Sequence, residues 1–191
     1  MNIHAYLREL AAPLRPGESG LLALDWFNGN RSILTNFDLS GMILGLNLAT
    51  KPEEIYRALI EAAVFGTKVI FDQYENNGIP IKRVCAAGGI AMKDEMMMQI
   101  YADVLNREIR VVKTAQAAAR GDAIYASVAA GVYPSVCEAA ERFALPIHKV
   151  YTPNAENVKI YAELFREFKA LHDYFGKTDG VMVRLKKMRG M

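Results

Sequence analysis

The chain has 191 residues, 52% of them hydrophobic and 23% charged, with a formal net charge of +2. That balance excludes a disordered chain, and the small charge gives no electrostatic basis for a nucleic-acid partner. No apolar stretch reaches the roughly 20 residues of a membrane span, and no basic-then-apolar signal layout opens the chain. Cys85 and Cys137 are the two cysteines. They have no metal-ligand spacing, so no metal site is expected from them. Cys85 lies in an apolar run and reads as a small buried hydrophobe, which makes a reducing cytoplasm the expected compartment.

Ile3, Tyr6, Leu7 and Leu10 predict a short helix over 2–12, closed by Pro13 and Pro16. Residues 20–25 read as a short buried strand opening into a loop over 26–37, where Asn28-Gly29-Asn30 signals a turn. Residues 41–46 fit a strand or a tight helical turn. Thr50 is the expected cap of a helix with Pro52, Glu53 and Glu54 in its first turn. That helix runs to about Tyr74 with Ile55, Leu59, Ala62, Gly66, Val69 and Ile70 on one face, and stops at Asn76-Asn77-Gly78. A strand over 81–87, the turn Gly88-Gly89, a helix over 94–105 and a strand over 109–112 follow, the unit that joins parallel strands.

Residues 114–131 are rich in Ala and Gly and predict a closely packed helix from about Gly121, and Pro134 starts another that ends near Phe143. Val158, Tyr161, Phe165, Phe168, Leu171 and Phe175 give a long amphipathic helix ending at Gly176. Arg184, Lys186, Lys187 and Arg189 crowd a tail that reads as a solvated terminus, with a weak contact to an anionic surface as the sharper alternative. The expected class is α/β, with 1–19 as a lead-in, 20–150 as the main domain and 151–191 as a helical extension.

The most informative segment is Gly88-Gly89-Ile90-Ala91-Met92-Lys93-Asp94. Two glycines between strand and helix let a ligand approach bare backbone, with N–H groups and the helix dipole aimed at phosphate or ribose oxygens, and Lys93 adds a point charge. An ordinary strand-to-helix turn is the equal alternative. Gly121 is a further candidate, as a site of close helix approach. A dinucleotide-binding unit is disfavoured, since the third glycine is missing and the next strand ends in Val112-Lys113 rather than in an acid. No Walker-type loop occurs.

Gly88-Gly89-Ile90-Ala91 followed by Met98-Gln99-Ile100-Tyr101-Ala102-Asp103-Val104-Leu105 resembles the adenosine-binding segment of the FGGY carbohydrate kinases. Gly121-Asp122-Ala123-Ile124 through Ala129-Ala130-Gly131 is similar to a helix start of that family, with Asp122 in place of the usual Ala. Gly41-Met42-Ile43-Leu44-Gly45-Leu46 and, seven residues on, Glu54 to Glu61 resemble its C-terminal signature. The stretches Ala23 to Gly29 and Leu46 to Thr50 are similar to the ribulose-directed members in particular. The resemblance covers residues 20–135.

It implies a ribonuclease H-like, actin-like ATPase domain, the C-terminal part of an ATP- and Mg²⁺-dependent kinase that phosphorylates a pentulose, L-ribulose to L-ribulose 5-phosphate. In that reading Gly88, Gly89, Ile90, Ala91, Lys93, Asp94 and Gly121 serve ATP or ADP. The base aspartate and most sugar contacts belong to an N-terminal kinase domain, so this chain carries no catalytic residue and is inactive alone. A non-catalytic actin-like ATP-binding or oligomerisation module is the alternative.

Other residues each carry a bland reading beside the sharp one. Asp25 faces a cleft or caps a turn, and Asp94 contacts adenosine or caps the following helix. Trp26 and Phe27 line a cleft or tuck against the core, and Arg31 reaches a phosphate or stays in solvent. Met96, Met97 and Met98 are core filler with one exposed neighbour. His4, His148 and His172 are scattered without catalytic partners. Tyr161, Phe165 and Phe168 pack onto the domain or, left exposed, form a homo-oligomer.

Overall fold

The structure, a computed structural model, describes residues 2–114, 116–143 and 145–190. It divides into two compact units: residues 1–82, 103–106 and 153–191, and residues 83–102 and 107–152. These boundaries cut across the three-part division expected from chain order. The first and last helices both fall in the first unit.

In the first unit, α1 (Ile3–Ala11) starts where the Asn2 side chain accepts the N–H groups of His4 and Ala5. Strands β1 (Leu22–Leu24) and β2 (Met42–Leu44) pair antiparallel, Leu22 opposite Leu44 and Leu24 opposite Met42. Gly45 then turns the chain at φ +97°, and a Cβ there would collide with the Gly20 carbonyl oxygen. The long helix α2 (Pro52–Asn76) has Lys51, not Thr50, at its cap. The Thr50 hydroxyl is engaged one turn earlier, accepting the Asn47 N–H at 2.9 Å, while the Glu54 carboxylate accepts the Lys51 N–H at 2.8 Å. The buried face of α2 is Arg57, Ala58, Glu61, Ala62, Val64, Phe65 and Val69. Only Ala62 and Val69 belong to the predicted stripe.

Asn154 caps α7 (Ala155–Phe175) through the N–H groups of Glu156 and Asn157. This helix buries Tyr161 and Phe168. Phe65 meets the Phe168 ring at 5.2 Å and those of Phe165 and Tyr161 at 5.9 and 6.1 Å, so the aromatic stripe packs inward. The basic tail forms helix α8 (Val181–Met188). Met182 and Val183 are buried, and Lys186 reaches Asp38 at 3.1 Å and the Phe37 carbonyl at 2.8 Å. The tail is thus a helix anchored by Met182, Val183 and Lys186, while its basic residues Arg184, Lys187 and Arg189 are exposed to solvent as expected.

In the second unit, β3 (Val84–Ala86) runs parallel to β4 (Ile109–Val112), which pairs antiparallel with β5 (Ile147–Tyr151) in the order β3-β4-β5. Between β3 and β4 lie α3 (Gly89–Lys93) and α4 (Glu95–Leu105), the last turn of α4 counting with the first unit. After β4 come α5 (Ala117–Ala129) and α6 (Val136–Arg142), the latter capped by Ser135. Ile109, Val111, Tyr151, Met98, Ile100, Ala91 and Ala139 form this unit's core. Ile109 lies between Val84 and Tyr151 in register, with side chains on the covered face. Cys85, Arg110 and Val150 share the other face, so Cys85 is exposed and not the buried hydrophobe expected.

Strand β5 has no counterpart in the sequence reading. Four of its five residues are exposed, so its hydrophobic pattern carries no contrast. Helix α5 begins four residues before Gly121 and buries none of its residues, contrary to the close packing expected. Among the described residues, no helix is long and apolar enough to cross a membrane.

Candidate functional site

The carboxyl end of β3 passes through Ala87 into Gly88, whose φ of +101° and ψ of 179° lie in a region open to little besides glycine. The Gly88 N–H donates to the Thr114 carbonyl at 3.2 Å, which ties this turn to the segment just after β4. Gly89 opens α3. It does not sit in the left-handed region, and a Cβ at either glycine would meet no atom within 4 Å. Backbone conformation therefore demands glycine at 88 but not at 89. At 89 the bare Cα faces open space.

Helix α3 is only five residues long: the Met92 N–H bonds the Gly88 carbonyl at 3.2 Å and the Asp94 N–H bonds Ile90 at 2.9 Å. Five residues give a weak macrodipole, so the expected dipole attraction shrinks to the first-turn N–H groups that lack intrahelical partners. The predicted helix over 94–105 is in fact α4, and Asp94 caps it, accepting the Met97 N–H at 2.9 Å. Asp94 is buried and so holds its capping role. Ile90 is 66% exposed, Lys93 is exposed and Ala91 is buried. Gly121 lies in the second turn of α5, and among the described residues nothing lies within 4 Å of its Cβ position.

The second half of the adenosine-segment motif has a structural role. Met98 and Ala102 are buried. The Gln99 amide donates to the Thr152 carbonyl at 2.9 Å. Asp103, 2% exposed, accepts the Asn154 N–H and the Asn157 amide, both at 2.8 Å, and so holds the start of α7.

The remaining sequence candidates fall in the first unit. Asp25 reaches solvent, yet desolvation by the protein around it raises its carboxyl pKa, opposed by a bond to its own backbone N–H. Trp26 is buried, its ring edge-on to the buried His172 at 5.3 Å, and the His172 Nδ1 lies 3.0 Å from the Asp173 carboxylate, so both are structural. Phe27 is 66% exposed and lines a cavity of about 380 Å³ with Phe37, Leu185 and Arg189. Arg31 lines another of about 430 Å³ with Ile70, Gln73 and Tyr74. Neither cavity includes Gly88 or Gly89 among its walls. Met98 is the buried member of the methionine run, with Met96 and Met97 half-buried.

A buried polar cluster escaped the sequence reading. The Arg57 guanidinium donates to Glu61 at 2.9 Å, to the Ala11 carbonyl at 3.1 Å and to the Tyr161 hydroxyl at 3.0 Å, and that hydroxyl donates to Glu61 at 2.8 Å. Burial pushes the Glu61 carboxyl above the usual range against the pull of Arg57 and the Tyr161 hydroxyl. Burial and the neighbouring Glu61 also raise the Tyr161 phenol, so it stays a neutral donor. The i,i+4 spacing of Arg57 and Glu61 was the available signal; their burial depends on Tyr161, a hundred residues away. This cluster ties α1, α2 and α7 together and touches no candidate site residue.

Among the described residues, no group of three or more His, Cys, Asp or Glu side chains is placed to hold a metal ion.

Residues 5–130 match the C-terminal domain of the FGGY family of carbohydrate kinases. Relatives include a ribulokinase of Halalkalibacterium halodurans, 50% identical over all of this chain and 35% of the relative. A ribulokinase of Staphylococcus aureus is 43% identical over 99% of this chain, again 35% of the relative. The chain thus spans about a third of the length of the curated relatives it matches. Among solved structures, a xylulose kinase from Rhodospirillum rubrum superposes with a TM-score of 0.74 at 27% identity, over 89% of this chain and 33% of that one. A Plasmodium falciparum glycerol kinase with ADP gives 0.68 at 21% identity, over 88% and 33%, a likeness of fold. The chain belongs to the FGGY family of carbohydrate kinases, of which it carries the C-terminal domain.

Proposed function

We propose that this chain is the nucleotide-binding C-terminal part of an ATP-dependent kinase that converts L-ribulose to L-ribulose 5-phosphate. Supporting the substrate most strongly is the 43–50% identity with ribulokinases along essentially the whole chain. A non-catalytic actin-like module would not need that identity to sugar kinases.

The nucleotide site is the turn between β3 and α3. Gly88 takes the backbone conformation that brings the chain out of the sheet, and Gly89 presents bare backbone to the adenosine and α-phosphate. Ile90 offers an exposed apolar surface to the base, and Lys93 offers charge to the phosphates. Ala91 and Asp94 support the turn from beneath. Mg²⁺ would neutralise phosphate charge when bound with the nucleotide. The base that accepts the sugar hydroxyl proton and most sugar contacts lie in an N-terminal kinase domain, and the enzyme works in the cytoplasm.

Amide hydrogen exchange of this chain with and without Mg-ADP tests the placement. The proposal expects slowed exchange across residues 88–93 with Mg-ADP and none with NAD. A folded chain whose exchange at these residues ignores Mg-ADP contradicts it.

A further inference from the structure

In the second unit, the parallel pair β3 and β4 sends both carboxyl ends to the same side, and ligands of open α/β sheets collect outside such ends. Here the two ends are bonded directly, through the Gly88 N–H and the Thr114 carbonyl at 3.2 Å. The residue before Thr114 is Lys113. Its backbone N–H is taken by the Pro146 carbonyl at 3.1 Å, which fixes the main chain at that point. Its side chain is exposed, and among the described residues no acid pairs with it.

The neighbouring charges make this selective. Arg110 is engaged by Glu108 at 2.6 Å and Lys149 by Glu95 at 2.8 Å, while the Arg120 guanidinium donates to the Phe143 carbonyl at 3.0 Å. Asp94, the acid nearest in sequence to Gly89, is buried as a helix cap, and Asp122 lies in the second turn of α5. Lys93 and Lys113 are thus two ammonium groups without an acid partner, one following the glycine turn and the other one residue from its hydrogen-bond acceptor. An acid at the end of this second strand is what a nicotinamide dinucleotide's ribose would need; a lysine there instead suits a phosphate chain.

We propose that Lys113 is a second phosphate-contacting residue of the nucleotide site, acting from the end of β4 on the phosphate chain of a nucleoside di- or triphosphate. The inference rests on the reading of Gly88-Gly89 as the nucleotide turn. Lys113 sets affinity for the charged part of the ligand and leaves the nucleoside part untouched.

Calorimetric titrations of the wild type, Lys113→Ala and Lys113→Arg with Mg-ADP and with adenosine, at low and high salt, test it. Lys113→Ala should weaken Mg-ADP about fivefold at low salt, with a smaller effect at high salt, as expected for a solvent-exposed ion pair. It should leave adenosine unchanged, and Lys113→Arg should keep most of the affinity for Mg-ADP. Equal Mg-ADP binding by wild type and Lys113→Ala overturns the proposal, as does an equal loss of adenosine and Mg-ADP. A folded wild type that binds neither ligand overturns the reading of the glycine turn itself, and this proposal with it.

Discussion

Replacing Arg57 by methionine keeps the apolar stem but removes the guanidinium that serves Glu61, Tyr161 and the Ala11 carbonyl at once. Arg57 and Glu61 are 6% and 4% exposed, so water cannot take over. Breaking such a buried pair leaves an uncompensated carboxylate and costs about 3–5 kcal/mol. The cost carries a pH signature. Burial already raises the Glu61 pKa above 4.5, and losing Arg57 removes the largest force opposing it. A group whose folded pKa is raised adds stability below its unfolded value and loses it as pH rises through the folded value. The gap between variant and wild type should therefore narrow as pH falls toward 5 and widen toward 8. Removing every polar member together, Arg57→Met with Glu61→Leu and Tyr161→Phe, should recover stability to within about 1–2 kcal/mol of wild type, since no buried charge is stranded. Urea denaturation followed by the fluorescence of Trp26, the single tryptophan and buried in the same unit, reads all of these. A single variant within about 1 kcal/mol of wild type, or a triple variant no better than the single, refutes the account of this cluster.

Asp103→Ala should cost about 2–3 kcal/mol, because the Asn154 N–H and the Asn157 amide lose a charged acceptor at the start of α7; thermal unfolding checks it, and an unchanged melting temperature would contradict it. Gly45→Ala should cost at least about 1–3 kcal/mol, from the positive φ together with the collision on the Gly20 carbonyl oxygen. Phe65→Ala should cost about 3–5 kcal/mol by emptying the centre of its ring cluster with Tyr161, Phe165 and Phe168. Denaturant titration separates the last two from a surface substitution, which would fall within about 0.5 kcal/mol.

The elements with strong local signals were legible before the fold was known. The apolar period of α7, the proline and glutamates that open α2, and the strand–glycine–helix–strand run of the second unit all state their structure in neighbouring residues. What sequence could not supply were facts created by distant chain. Arg57 and Glu61 are buried together with Tyr161, a hundred residues from Glu61, and no local pattern announces that contact. Strand β5 shows little hydrophobic contrast because it pairs along one edge and stays exposed. The basic residues Arg184, Lys187 and Arg189 of the tail are exposed as read, whereas the anchoring of α8 by Met182 and Val183 had no signal among those charges. At the candidate site the sequence carried the order of strand, glycines and helix, while burial and capping came only from the fold. Gly88 and Gly89 stand at the strand end and Asp94 caps α4, both as read, while Ala91 is buried and, among the described residues, nothing lies within 4 Å of a Cβ at Gly121.

The central claim is that the double glycine of this chain receives an adenine nucleotide, and Gly89→Val is its most direct test. Gly88 is a poor choice, because its φ of +101° makes any side chain a backbone defect. Gly89 lies outside that region, and a Cβ there meets nothing within 4 Å, so the fold tolerates the change. Calorimetric titration with Mg-ADP, beside a thermal melt of both proteins, should show binding by the wild type. It should also show at least about a tenfold loss, 1.4 kcal/mol, in Gly89→Val at an unchanged melting temperature. Equal Mg-ADP affinity in the two proteins would place the nucleotide elsewhere and contradict the account.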